Sequence, residues 1–377
     1  MNINSEEIID RNKESAVKEK IFELGEILSF NKEENFLKLN FNKEKVILEF
    51  VKSDIIRVIM DKKEEINLKT TYAVVNKDKY SNFKINESEE FLQINTNDLK
   101  IIINKSSFSL KFYNKKGELL HEDATPALSW SKNKIKVTKK TSDNEYFYGL
   151  GEKTAFLNKK GKKYTMWNTD VFESHIENTD PLYASIPFYL VASKKNNYGI
   201  YFDNSYKSHF DFRIDEDGKY SFWAEGGKMD YYFINGPEAK EVIDKYTDLT
   251  GKMPLPPKWS LGYHQSRYSY KNEKKVKKLA NKFREKEIPC DVIHLDIHYM
   301  DDYRVFTWDN NRFPEAENMI KELKEDGFNI VNIIDPGVKK DADYDVYKEG
   351  VKNDYFCKYL DGEIYSGDVW PGESVFP

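Results

Sequence analysis

Cysteine is almost missing from this chain. Cys290 and Cys357 are the two in 377 residues, too few for a disulfide framework and at no zinc-binding spacing. There is no glycine-rich phosphate loop, no Cys/His metal set and no Ser-His-Asp arrangement, so neither a metal nor a cofactor is expected. Long hydrophobic runs are missing too. Nothing approaches the roughly 18 apolar residues of a membrane span, and the opening MNINSEEIIDRNKESAVKEK lacks the apolar core of a signal peptide. The expectation is a soluble, cytoplasmic protein with no membrane partner. Charge of one sign is not in excess either. Lys+Arg number 59 against 64 Asp+Glu, and the net charge of −5 gives no electrostatic basis for binding nucleic acid.

What the chain has in quantity is aromatic residues, 15% of the total with 25 Tyr, 24 Phe and 6 Trp. Sugar sites use aromatic faces, but aromatic-rich strands of a sandwich explain most of such a count. The length suffices for two domains with full cores. Residues 1–24 carry Ile8, Ile9, Val17, Ile21, Phe22 and Leu24 at loosely helical spacing among charges, and read as a lead-in helix. From Gly25 the period becomes two. Leu37, Leu39 and Phe41 alternate with polar residues, as do Leu92 with Ile94, and Phe108 with Leu110 and Phe112. Apolar runs such as Ile55–Ile59, Leu99–Ile103, Tyr198–Phe202 and Tyr231–Ile234 lie between polar turns like Asn114-Lys115-Lys116-Gly117. Many short strands at regular spacing predict an antiparallel β-sandwich over residues 25–236.

Residues 237–257 form a boundary. Glu238–Leu249 is helical, with Val242, Ile243 and Tyr246 on one side, and Pro254-Leu255-Pro256-Pro257 stops the pattern. Beyond it strands and helices alternate. Trp259–Tyr263 is the first strand candidate. Lys274–Glu287 is an amphipathic helix on Val276, Leu279, Ala280 and Phe283, with Lys274–Lys278 as a solvated face. Asp291–Leu295 is a buried parallel strand containing His294, read as a hydrogen-bonded core residue. Pro314 opens a second helix at its first position, Ile320 and Leu323 face inward, Gly327 ends it, and Asn329–Ile334 is a third strand. This βαβαβ order is the opening of a (β/α)8 barrel or a doubly wound sheet. A full barrel takes roughly 250 residues, so residues 258–377 are expected to hold an incomplete one, and the chain reads as the front of a longer protein. Polar groups recur at the carboxyl ends of all three strands, where ligands bind in parallel sheets: His264-Gln265, Asp296 and Asp335. His264 reads as a structural strand-end residue. The acids read as functional groups, with a helix cap or turn initiator as the bland alternative.

The motifs from Asn144 onward resemble glycoside hydrolase family 31, whose members include retaining α-glucosidases and α-xylosidases. The likeness rests on Phe147–Lys153, Trp167-Asn168-Thr169-Asp170, Gly262–Tyr268, Asp296-Ile297-His298-Tyr299-Met300-Asp301, Phe306–Asp309, Arg312-Phe313-Pro314, Ile333–Pro336 and Val369–Gly372, in the family's order. His298 stands where the family most often has a second acid, which leaves that position's role open. The resemblance implies a galactose mutarotase-like sandwich followed by the catalytic barrel and the start of an insertion. It also implies an oligosaccharide or glycoside substrate, bound by Asp170, Asp296, Ile297, Ile333, Asp335 and Trp370. Carboxylates suit that task because sugar hydroxyls are donors and an ionised acceptor makes the stronger hydrogen bond.

The family's nucleophile lies in a Trp-x-Asp-Met-Asn-Glu-like run, and its acid/base is a later aspartate. No such run occurs here. The resemblance therefore implies an α-glucosidase portion without its catalytic pair, inactive alone. The alternatives are an α-xylosidase of the same family or a non-catalytic carbohydrate-binding protein. Assembly into a homo-oligomer is left open.

Overall fold

The computed structural model describes residues 20–61, 66–194, 196–335 and 337–377. They fall into two compact units, Met1–Lys252 and Met253–Pro377. The first is the antiparallel β-sandwich that the period-two pattern predicts, a ten-stranded sheet and an eight-stranded sheet. Alternation works directly at the flanks. Phe36–Asn40 buries Leu37 and Leu39 and leaves its other residues half exposed, and Leu99–Asn104 buries Leu99, Ile101 and Ile103. These side chains join one apolar core with Phe112, Phe147, Phe210 and Phe233. The aromatic count is largely absorbed here, by stacks such as Phe112 on Phe233 at 4.0 Å.

Central strands are covered on both faces, so they read as continuous apolar runs. Ile55–Asp61 pairs with Met229–Gly236 in the register Ile59↔Asp230, and nearly every residue of both is buried. The outer face of this sheet is covered by the helix Ala239–Thr250, in a second cluster with Ile55, Phe188, Ile234, Val242 and Leu249. A capping box on Glu238 and Glu241 starts that helix. It can approach the sheet because position 199 is glycine. A Cβ there would lie 2.7 Å from the Phe188 ring and 2.8 Å from Val242. The inward side differs from the expected one in one residue: Ile243 is 41% exposed and Leu249 is buried instead.

The long strand Leu119–Trp130 crosses the ten-stranded sheet and breaks register between Asp123 and Leu128. Pro126 sits inside that interval and has no N–H for the ladder, which confines it to such an irregularity. The lead-in helix expected for residues 1–24 falls mostly outside the described residues. Within them, Phe22–Glu23 is a strand pairing with Trp130 and Ser129, and the Phe22 ring stacks on Trp130 at 6.0 Å. Stacking and ladder bonds outweigh a weak helical spacing at that point.

Two ionic groups are sealed within the sandwich. Lys139 is fully buried, its ammonium 2.8 Å from Asp123 and 3.1 Å from His121 Nε2, while His121 Nδ1 is 3.0 Å from the Tyr198 hydroxyl. Arg57 is 1% exposed and forks onto Asp230 at 2.8 and 2.7 Å, with Glu49 at 2.8 Å.

In the second unit His264–Gln265, Val292–Leu295 and Asn329–Asn332 form a parallel sheet in that order. The helices Glu273–Glu285 and Ala316–Glu325 connect them. This is the partial barrel, with three corrections of detail. Trp259–Tyr263 is not a strand: Lys258–Leu261 is a 3-10 turn, closed by Ser260, whose amide and hydroxyl both donate to the Pro257 carbonyl. Leu261 is accordingly exposed, and pairing begins at His264. Pro314 precedes the cap Glu315 rather than opening the helix, because the Glu273 carboxylate accepts from the Glu315 amide at 3.2 Å. The third strand stops at Asn332, since its neighbour turns away at Asp296; a last bond runs from Ile333 N to Leu295 O at 3.0 Å. The hairpin Ser366–Val369 with Gly372–Val375 pairs with Val338–Lys339.

Burial and the neighbouring Lys139 charge push the His121 imidazole down to about 4 from 6.5. The unfolded chain therefore takes up a proton near pH 6.5 that the folded chain refuses, and stability falls as the pH drops from there toward 4. The loss expected for this group is about 3 kcal/mol. Urea midpoints measured across that window should show the slope, and His121→Gln should flatten it.

Candidate functional site

A cavity of about 420 Å³ opens at the carboxyl ends of the three parallel strands, between Tyr268, His294, Asp296, Asn332 and Ile333. Each strand delivers one wall: the second and third end opposite each other, Leu295 against Asn332, and the first ends two residues short, at Gln265 opposite Ile293, so that Ser266–Tyr268 continue its wall. At the second strand, Asp296 caps the turn Ile297–Tyr299, its Oδ1 accepting from the Ile297 amide at 2.8 Å. The cap and the functional reading thus coexist: one oxygen holds the turn, and the half-buried carboxylate still lines the cavity. Tyr299, 3% exposed, ties this turn to the third strand by donating to the Ile333 carbonyl at 2.8 Å, with Trp308 packed on its ring at 4.9 Å.

Asp335 lies half-buried beyond the third strand. Burial, and then the Asp296 charge, push its carboxyl above the usual range, so the two acids sit within electrostatic reach of each other. Ile333 is 39% exposed and lines the cavity. Ile297 is 4% exposed and belongs to the apolar core under the turn. Trp370 stands at the tip of the hairpin following Ser366–Val369, 66% exposed and outside the cavity lining. Asp170 is in the other unit, on the exposed loop after Lys163–Met166, where Oδ1 is 2.9 Å from the Tyr183 hydroxyl.

Two lining groups, Tyr268 and His294, were not assigned to the site from sequence. Tyr268 exposes 68% of its surface beside the cavity. It follows a strand of only two residues, too short for any period to flag it. His264 and His294 form a pair, Nδ1 to Nε2 at 3.0 Å, while His264 Nε2 is 3.1 Å from the Ser260 carbonyl. A carbonyl only accepts, so His264 carries its proton on Nε2 and, when neutral, receives one from His294. Burial and the His264 ring hold His294 below the usual imidazole range. His298 sits edge-on to Tyr268 at 5.4 Å and to Tyr303 at 5.8 Å, and its Nδ1 is buried without a partner among the described residues. Burial, then Arg312 and Lys271, keep it readily neutral. Among the described residues no cluster could hold a metal ion. Acceptor carboxylates, a neutral imidazole and an open aromatic face make a surface suited to a polyhydroxylated ring.

Comparisons with known proteins agree with that chemistry. Residues 253–377 match the glycosyl hydrolases family 31 TIM-barrel domain, and residues 45–211 match the glycosyl hydrolase 31 N-terminal galactose mutarotase-like domain. The chain is 44% identical over 356 residues to alpha-glucosidase 2 of Bacillus thermoamyloliquefaciens, covering 94% of this chain and 45% of that enzyme. It is 37% identical over 245 residues to an alpha-glucosidase of Saccharolobus solfataricus, covering 65% and 35%. Among solved structures, a Flavobacterium johnsoniae GH31 dextranase complexed with isomaltotriose superposes with a TM-score of 0.89 at 32% identity, over 94% of this chain and 44% of the dextranase. The chain thus spans less than half the length of these relatives.

Removing the Asp296 charge should let Asp335 titrate at lower pH. Carboxyl ¹³C chemical shifts of the Asp296→Asn chain are expected to show the Asp335 midpoint displaced downward; an unmoved midpoint would separate the two acids.

Proposed function

Because this chain belongs to glycoside hydrolase family 31, we propose that it is the N-terminal portion of a retaining α-glucosidase that removes terminal α-linked glucose from oligosaccharides. The observation that supports this reading is Asp296 lining the strand-end cavity with the open ring of Tyr268, with Asp335, beyond the next strand end, within reach of its charge. Their carboxylates accept hydrogen bonds from the hydroxyls of the sugar whose bond is cut, and these contacts strengthen as the ring flattens toward an oxocarbenium-like state. Ile333 supplies a small apolar wall, and Ile297 supports it from beneath by fixing the turn that Asp296 caps. Asp170 and Trp370 are proposed as further sugar-binding residues, each on its own loop.

Double displacement needs a nucleophile and an acid/base roughly 5–5.5 Å apart. The 377 residues contain no Trp-x-Asp-Met-Asn-Glu-like run to supply them. The proposal is therefore a binding half-site, with no turnover by this chain alone. Among the described residues no helix is long and apolar enough to cross a membrane, and a cytoplasmic setting is part of the proposal.

Purified chain should release no nitrophenol from p-nitrophenyl α-glucoside, yet bind glucose in a calorimetric titration. Asp296→Ala should weaken that binding by about tenfold or more, the loss of a charge-assisted hydrogen bond. Steady turnover that copurifies with the chain would overturn the account of the missing carboxylates.

A further inference from the structure

A second polar cavity, of about 430 Å³, lies wholly within the sandwich unit. Its floor is apolar, with Met166 and Phe202 buried beneath it. Ser208 lines it, is 1% exposed, and its Oγ has no hydrogen-bond partner among the described residues; the buried Oγ of Ser185, also on the lining, has none either. Buried hydroxyls are normally satisfied, so two orphans on residues of one cavity lining mark a place where a partner from outside is wanted. Trp167 and Tyr206 line the same cavity and remain 52% and 56% exposed. With Ser205, both also line an adjoining depression of about 560 Å³ that reaches Lys207 and Glu225, so the two spaces are continuous along these rings.

The Tyr206 ring is mounted rather than dangling. A Cβ at Gly226 would lie 2.5 Å from its Cε1, and one at Gly227 3.0 Å from its Cδ2, so the ring rests on a bare glycine turn. Asn204 fixes this loop to that turn: its Nδ2 donates to Gly226 O at 3.0 Å and Lys228 O at 2.9 Å, and its Oδ1 accepts from the Tyr206 amide at 2.8 Å. A ring immobilised on one face and open on the other loses little conformational freedom when a ligand stacks on it.

We infer that this cavity is a second carbohydrate site, in which a pyranose ring of an oligosaccharide lies against Tyr206 and Trp167 while its hydroxyls engage Ser208 and Ser185. A pyranose has an apolar face of C–H groups and a rim of hydroxyls, which matches exposed rings around unsatisfied hydroxyl groups. A purely apolar ligand would leave both serines unpaired, and an anion would meet no free cation on the lining. The site is built from sandwich residues alone.

The test uses the 377-residue chain carrying Asp296→Asn, which weakens binding in the barrel cavity, titrated calorimetrically with maltotriose and isomaltotriose. Saturable binding should persist, and adding Tyr206→Ala or Ser208→Val should each weaken it by about tenfold. Tyr206→Ala is a surface change, and an unchanged melting temperature would certify its fold even if Ser208→Val fails to fold. No saturable binding in the Asp296→Asn chain, or binding indifferent to Tyr206→Ala, overturns the inference and leaves the serines to water. Loss of binding in the Asp296→Asn, Tyr206→Ala chain with glucose binding retained by the Tyr206→Ala chain would separate the two sites from each other.

Discussion

The sandwich depends on holding Lys139 without water. Its ammonium comes from Ile135–Lys140 in one sheet, and its partners come from both: Asp123 and His121 from the same sheet, the Tyr231 hydroxyl from the facing one, where the Tyr198 hydroxyl also holds His121. An isolated charge in that position would be expensive, so the arrangement is tolerable in one alignment of the two sheets. Shift Ile135–Lys140 by one residue and the ammonium leaves Asp123 while every apolar side chain of the strand changes face. Arg57 and Asp230 repeat the device between two strands of the other sheet. Hydrophobic burial supplies the driving force for the fold, and these ions supply the register.

The second unit is organised by length rather than charge. The second and third parallel strands end opposite each other, the first two residues short of them, and residues at and just past these ends form the cavity wall. Asp296 serves the backbone and the cavity together, which is why the helix-cap and functional readings of a strand-end acid are not alternatives. Tyr299 locks the second and third strand ends to each other, so the cavity is built on a braced rim and not on free loops.

Sequence legibility followed burial. Strands with one face in the core, such as Phe36–Asn40, show their period plainly, and those buried on both faces show as apolar runs. Failures cluster where a single polar contact overrides composition. Trp259 and Leu261 look like strand residues, but the Ser260 hydroxyl and Pro257 carbonyl close a turn instead. Pro314 looks like a helix start, but the Glu273 carboxylate takes the Glu315 amide and moves the start onward. In the cavity, Asp296 was legible because it follows an apolar run, whereas Ile333, inside such a run, was named only through the family resemblance. Tyr268 and the His264–His294 pair were not legible, because their contacts join residues about 30 positions apart in sequence and leave no local pattern.

The pairing of Ile55–Asp61 with Met229–Gly236 also sets a schedule for synthesis. The eight-stranded sheet has Ile55–Asp61 in its interior, yet that strand's second neighbour is the last strand of the sandwich to be made. Ribosomes add roughly 5–20 residues per second, so the early strands wait on the order of ten seconds or more with an open, apolar edge. The helix Ala239–Thr250, which covers the outer face, comes later still. Whatever guards the nascent chain against pairing with a neighbour must act during that interval, before the native partner exists.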